Sequence, residues 1–283
     1  MNGMPLKVEI DAHSGFCGGV VRAITTAEKH LQSGSRLYSL GEIVHNEEEL
    51  SRLGSKGLVP AASLEDIPEG ECVLIRAHGV PPGIYEQARG RSLEVIDCTC
   101  PVVLRIQKSI REASGKVLIF GKHGHPEVQG LVGQKEEAVV FQNLEQLEAL
   151  LPALDKTLSY DLFSQTTMSP VEYAAACELL ISALPGLTVH QTICSQVASR
   201  HAELEGFARS HDVVLFVSGS HSSNGRVLCD LCRSVNPRTH HVGGPEDIDP
   251  SWFSPGDSIG VSGATSTPHW LLERVAAEVE NLH

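Results

Sequence analysis

Aromatic residues are scarce, 5% of 283, and cations are outnumbered: 22 Lys and Arg against 35 Asp and Glu leave a formal net charge of -13. That balance excludes a general nucleic-acid surface, whose affinity comes from Lys and Arg meeting phosphates. It leaves room for a small anion held by local donors. No apolar run approaches the roughly 20 residues that a membrane span requires. The start, MNGMPLKVEI, lacks the basic and apolar regions of a secretory leader. The expectation is a cytoplasmic protein with neither nucleic acid nor membrane as partner. Neither GxGxxG nor GxxxxGK[ST] occurs, so nucleotide binding has no support.

Hydrophobic residues make up 41%, enough for real cores, and the length suits two or three packed units. Eight cysteines stand at 17, 72, 98, 100, 177, 194, 229 and 232, beside fourteen histidines. In a reducing compartment such thiols point to metal or catalysis more than to disulfides.

The context of Cys17 recurs. LKVEIDAHSGFCGGVVRAITTAEKHL reads as strand, short loop, cysteine, helix. SLEVIDCTCPVVLRIQKSIREA reads the same way around Cys100, and LTVHQTICSQVASRHAELEGFA around Cys194. The period is too long for a solenoid and suits three α/β units. The following strands also end in polar residues: one series at His45, at His125 with Glu127, and at Ser222, Ser223 and Asn224; another at His78, Thr166 and Ser266. Apolar strand runs separated by helices read as parallel sheets, whose ligands sit beyond the carboxyl ends of the strands. The expected fold is therefore α/β, with three pseudo-repeated lobes at 1–95, 96–190 and 191–283. Their strand ends point at one central site.

Three thiolates at helix starts suit a metal centre, because the helix N-terminus and a bound cation both favour the thiolate. Zinc with three cysteines wants a fourth protein ligand or a water. A cubane iron–sulfur cluster usually takes four cysteines, so three leave one iron open to a substrate oxygen. The His, Ser and Asn side chains are short, mostly neutral donors able to hold a phosphate or diphosphate. Glu127 is the carboxylate among these strand ends and so the natural proton donor, its pKa raised if it is buried.

These motifs resemble the LytB/IspH family of diphosphate reductases of non-mevalonate isoprenoid synthesis. The matching segments are GFCGGVVRAI, EIVHN, RAHGV, DCTCPVV, HPEVQG, SQTT, the Ile-Cys at 193–194, SSN and GATSTP. The resemblance implies a three-lobed fold around a central [4Fe-4S] cluster held by Cys17, Cys100 and Cys194. It implies reductive loss of an allylic hydroxyl from a diphosphate. His45, His78, His125, Ser222, Asn224 and Ser266 would hold the diphosphate, with Ser223 beside them. Glu127 would deliver protons, Thr166 would orient the substrate hydroxyl or the proton path, and ferredoxin or flavodoxin would supply electrons.

The chain departs from the family pattern after Cys194, where SQVASR puts Val197 and Ala198 at places common for hydroxyls and Ser199 in place of asparagine. Gln107 also stands where histidine is frequent. Two alternatives follow: a paralogous reductase of another allylic or anionic compound, and a non-catalytic iron–sulfur or zinc redox sensor. A sensor has no use for Glu127 and the Ser/Asn/His set. Of the remaining thiols, Cys72, Cys98 and Cys177 read as packed side chains. Cys229 and Cys232 read as packing on one helical face, with a thiol switch left open. The three acids after Asn46 read as a solvated first helical turn.

Overall fold

The computed structural model describes residues 6–282, without the side chain of Ser223. Strand β1 (Lys7–Ile10) leads into α1 (Gly18–Leu31). Next come β2 (Leu37–Leu40), α2 (Glu47–Gly54), β3 (Leu58–Ala61), β4 (Cys72–Ile75), α3 (Pro82–Gly90) and β5 (Glu94–Asp97), and α4 (Pro101–Glu112) carries the chain onward. The pattern returns as β6 (Lys116–Phe120), α5 (Pro126–Val132), β7 (Val139–Phe141), α6 (Leu144–Leu150), β8 (Tyr160–Ser164), α7 (Pro170–Ala183) and β9 (Leu187–Val189), followed by α8 (Ser195–Arg209). It returns once more as β10 (Val213–Val217), α9 (Ser223–Val235), β11 (Thr239–Val242), β12 (Ser258–Gly263) and α10 (His269–Glu280).

The strands form three four-stranded sheets, ordered β3-β2-β4-β5, β7-β6-β8-β9 and β11-β10-β12-β1. In each, the first strand of the run lies inside, the second flanks it on one edge, and the third separates it from the strand that precedes a cysteine. Pairing is parallel in the last two sheets and between β2, β4 and β5. This is the expected three-lobed α/β architecture, with one difference in how it is threaded. A contiguous first lobe puts β1 with its sequence neighbours, yet β1 pairs with β12, in the register Lys7↔Ser258 to Ile10↔Val261. Both sides of β2 are already taken, by β3 and β4. Val8 and Ile10 instead pack on the core of the third sheet.

The chain divides into two compact units: residues 1–37, 41–60 and 199–283 in one, 38–40 and 61–198 in the other. In the first, the two-residue period of a strand sends Val213, Leu215 and Val217 to one face, against Leu271, Leu272 and Val275 of α10. Val214 and Phe216 go to the other, against Leu204, Ala208 and Leu228. Cys229 and Cys232 lie in this second cluster, 3% and 0% exposed, and burial pushes the Cys232 thiol up to about 12. The CxxC pair is thus packing. In the second unit, Leu118, Phe120 and Leu162 pack with Tyr173 and Leu180, and Ile119 and Phe163 with Ile106, Ile110 and Leu131. Each such side chain contributes roughly 1.5–3 kcal/mol by leaving water.

The acidic run of α2 is a solvated turn only in part: Glu47 is exposed and Glu48 half-buried, but Glu49 is neither. Glu49 is fully buried, accepting hydrogen bonds from Arg52 at 2.7 and 2.6 Å and from the Trp270 indole at 3.0 Å. Glu48 pairs with Arg274 at 3.0 Å, and Glu47 accepts from the Ser220 amide and hydroxyl at 3.2 and 2.6 Å. A charge run at a helix start carries the same sequence signature whether water or a neighbouring helix covers it.

Candidate active site

Each of the three sheets presents one cysteine in the same way. Cys17 and Cys100 are the N-cap residues of α1 and α4, and Cys194 directly precedes α8. In all three the carbonyl accepts the first hydrogen bond of the helix, from Val21, Leu104 and Ala198. The amide in each case donates to a carbonyl two residues beyond the end of the neighbouring strand: Cys17 to Thr265 at 3.3 Å, Cys100 to Ala77 at 3.0 Å, Cys194 to Thr166 at 3.0 Å. Each cysteine therefore stands where the chain leaves one sheet for the next, with its backbone tied down on both sides.

Exposure separates these thiols from the rest. Cys17, Cys100 and Cys194 are half-buried, whereas Cys72, Cys98, Cys177, Cys229 and Cys232 are buried. Burial also raises the Cys72 thiol to about 11 and raises those of Cys177 and Cys229. Inert packed thiols and accessible ones thus divide along the line that the strand–cysteine–helix repeat draws. The donor chemistry, thiols alone at rigidly held helix starts, fits an iron–sulfur group.

In the second unit a chain of contacts links five of the sequence-selected residues. The rings of His78 and His125 meet edge to face with centroids 5.3 Å apart. His125 Nδ1 accepts the Glu127 amide at 3.2 Å, which makes His125 the N-cap of α5. An imidazole that accepts at Nδ1 carries its proton on Nε2. The Glu127 carboxyl accepts from the Thr166 amide at 2.6 Å and from its hydroxyl at 2.7 Å. Thr166 in turn supplies the carbonyl that anchors Cys194. Glu127 is 2% exposed, and burial pushes its pKa up to about 7 against the opposing pull of the two Thr166 hydrogen bonds.

The first unit assembles the others. Ser222 caps α9 through the Gly225 amide at 3.0 Å, and its hydroxyl lies 3.2 Å from that of Ser266. The Asn224 amide donates to Thr265 Oγ1 at 3.1 Å, and Asn224 Oδ1 is buried with no partner among the described residues. Turning that amide over would let Thr265 donate to the oxygen and put the NH2 group, a donor, in that buried place. His45 Nδ1 lies 3.0 Å from Glu42 Oε2. The loop of His45 and the loop of Ser222 press on one another at Gly219: a Cβ there would lie 2.6 Å from the His45 carbonyl oxygen. Of the sequence-selected residues, Ser223 alone has its side chain outside the described residues.

Three structural supports escaped the sequence reading. Thr265 both bonds Asn224 and anchors Cys17. The Glu47–Ser220 bonds tie the loops of His45 and Ser222 together. Arg200 Nη2 reaches Asp11 at 2.6 Å and Ser262 at 2.8 Å, with both charged side chains at most 5% exposed. Arg200 closes the SQVASR segment, but nothing in the sequence names Asp11 as its partner. Among the departures, Val197 is packed and Ala198 and Ser199 are exposed. Gln107 is buried, its Nε2 without a partner among the described residues.

The sequence model of the LytB protein family matches residues 8–280. The 4-hydroxy-3-methylbut-2-enyl diphosphate reductase of Bacteroides thetaiotaomicron is 44% identical over 290 residues, covering 98% of this chain and 99% of that one. The protein of the same name from Porphyromonas gingivalis is also 44% identical, over 292 residues, with the same coverage. A solved structure of (E)-4-hydroxy-3-methyl-but-2-enyl diphosphate reductase, the terminal enzyme of the non-mevalonate pathway, superposes with a TM-score of 0.74 at 31% identity, covering 98% of this chain and 99% of the other. The E-1-hydroxy-2-methyl-but-2-enyl-4-diphosphate reductase of Plasmodium falciparum gives 0.87 at 25% identity, covering 98% and 88%. Relatives, solved folds and the family's sequence model thus agree along nearly the whole length, and the chain belongs to the LytB protein family.

Proposed function

We propose that this chain reduces 4-hydroxy-3-methylbut-2-enyl diphosphate to isopentenyl and dimethylallyl diphosphates, the last step of the non-mevalonate isoprenoid pathway. The reaction replaces the C–O bond of the allylic hydroxyl by a C–H bond and consumes two electrons and two protons, releasing water. Cys17, Cys100 and Cys194 would hold a [4Fe-4S] cluster, which when bound supplies a Lewis-acidic iron for the substrate hydroxyl and a path for electrons.

The remaining work falls to the chain's own groups. His45, His78, His125, Ser222, Ser223, Asn224 and Ser266 would hold the diphosphate by neutral hydrogen-bond donors, in keeping with a protein of net charge -13. The Nε2–H of His125 and the Asn224 NH2 group are donors of that kind. Glu127 keeps a proton near neutral pH because burial disfavours its anion, so it can protonate the departing hydroxyl. Thr166 fixes the direction of that carboxyl with two hydrogen bonds and, through its carbonyl, fixes the Cys194 loop in the same register. Burial of the pair also keeps bulk water away from the proton.

The buried Glu127 carboxyl clasped by Thr166, one hydrogen bond from the Cys194 backbone, carries the reading. Anaerobic turnover of the allylic diphosphate with a reduced viologen dye tests it. Wild type should convert substrate, and Glu127→Gln should keep its iron and its affinity for substrate while turnover collapses. An iron-loaded wild type without turnover refutes the assignment.

A further inference from the structure

We propose that Glu47 is a positioning residue for the diphosphate. Its carboxylate, clasped to Ser220, holds the His45 and Ser222 loops in register, so that losing it weakens anion affinity even though a negative charge is removed. The proposal rests on the roles assigned above to His45 and Ser222, and adds a residue that is not itself a donor to the anion. Glu47 opens α2 two residues after His45, and Ser220 stands two residues before Ser222 in the turn that leads to α9. One oxygen of the Glu47 carboxylate accepts the Ser220 hydroxyl at 2.6 Å and the Ser220 amide at 3.2 Å. Beside this pair a Cβ added to Gly219 would meet Glu47 Oε2 at 2.5 Å, the His45 carbonyl oxygen at 2.6 Å and Asn46 Cα at 3.1 Å. Gly219 thus touches three successive residues of the opposite loop, and neither loop can shift without the other.

Each loop is fixed behind the contact. Asn46 is buried and caps α2 by accepting the Glu49 amide at 2.9 Å. Glu49 anchors the same turn to Arg52 and to the Trp270 indole. On the other side the Ser218 amide donates to the Val242 carbonyl at 3.1 Å, and the Ser218 hydroxyl lies 2.7 Å from His241 Nε2. The Ser222 amide donates to the Gly219 carbonyl at 3.1 Å, closing the turn that carries Ser220. A rigid helix start therefore reaches Ser222 through Glu47, Ser220 and a single turn. Donors held in their binding arrangement lose less freedom when the anion arrives, and affinity gains accordingly.

Charge gives the assignment a sign. Partial desolvation pushes the exposed Glu47 carboxyl up, but the Ser220 hydroxyl, its own amide, the Ser220 amide and nearby His221 outweigh it and hold it below the ordinary 4.5. Glu47 is therefore an anion at neutral pH, two residues from a donor to a multiply charged anion. As a bare surface charge it would repel that anion, and its removal would tighten binding. As the clasp on Ser220, its removal frees the loop and weakens binding. The second effect wins, because salt and water screen a repulsion between exposed charges whereas the clasp is a direct contact.

The test titrates the iron-loaded enzyme with inorganic pyrophosphate by calorimetry near neutral pH at fixed ionic strength. Glu47→Ala should weaken binding by roughly three- to tenfold, the span of one hydrogen bond. Glu47→Gln, which keeps an oxygen for Ser220 to donate to, should recover part of that loss. Ser220→Ala combined with Glu47→Ala should bind no more weakly than Glu47→Ala alone, since both substitutions remove one contact. In viologen-driven turnover Glu47→Ala should raise KM for the allylic diphosphate and leave kcat unchanged. Tighter or unchanged pyrophosphate binding in Glu47→Ala overturns the proposal, as do additive losses in the double variant, equal binding by the Ala and Gln variants, or a fall in kcat at constant KM. Wild type that binds pyrophosphate without turning over the allylic diphosphate refutes the reductase reading and leaves the clasp standing, whereas wild type that binds no pyrophosphate overturns the clasp as well.

Discussion

Glu127 makes the pH dependence of stability calculable. In the unfolded chain its carboxyl titrates near the ordinary 4.5; in the fold, burial moves it to about 7. Between those values the folded protein holds a proton that the unfolded chain has lost, so stability falls as pH rises through this window. The contribution is fully present below about 4.5 and gone above about 7. At 1.36 kcal/mol per unit, the whole shift is worth roughly 3 kcal/mol, and about 2.5 kcal/mol of it is lost between about pH 5 and about pH 8. Glu127→Gln isolates this effect. The amide keeps the shape of the protonated acid, its oxygen accepting the Thr166 amide and its NH2 donating to the Thr166 hydroxyl, but it does not titrate. Urea unfolding of both proteins across that pH range should show the variant gaining on wild type by about this amount as pH rises. A difference that stays flat, or that runs the other way, refutes the buried-acid account of Glu127 and with it the proton donor.

Three further outcomes follow from the geometry. Arg200→Ala leaves the Asp11 carboxylate buried without its cation and should cost about 3–5 kcal/mol in urea unfolding, with Arg200→Lys recovering part of it. Gly79→Ala puts a Cβ 2.6 Å from Gln107 Nε2 and 2.9 Å from Thr99 Cγ2 at a φ of +70°, and should cost roughly 1–3 kcal/mol and weaken pyrophosphate binding through the adjacent His78. Alanine at Cys17, Cys100 or Cys194 should deplete bound iron in anaerobic preparations; alanine at Cys229 should leave iron unchanged and lower only the melting temperature.

How much of this could be read from residues alone varies by kind. The strand–cysteine–helix repeat was legible because local pattern specifies it: an apolar run, a break, a thiol, an amphipathic stretch. Thr166 and Glu127 could be selected singly by the same logic, as polar residues at strand ends, but not as a bonded pair, since 39 positions separate them. The register of β1 on β12 was invisible for a related reason. A short alternating strand advertises a buried face and says nothing about which edge receives it. The α2 acids show the opposite failure, where a pattern with a simple local meaning is overruled at Glu49 by Arg52 of the same helix and by Trp270 from α10, with Arg274 of α10 pairing Glu48.

The pairing of β1 with β12 also orders events in time. Among the described strands β1 comes first in the chain and pairs with β12, the last, and the Cys17 amide finds its acceptor only once Thr265 has been made. The other two cysteine seats depend on residues 77 and 166 and can be completed on a growing chain. The seat of Cys17, unlike those of Cys100 and Cys194, is thus complete only when β12 has closed its sheet against β1.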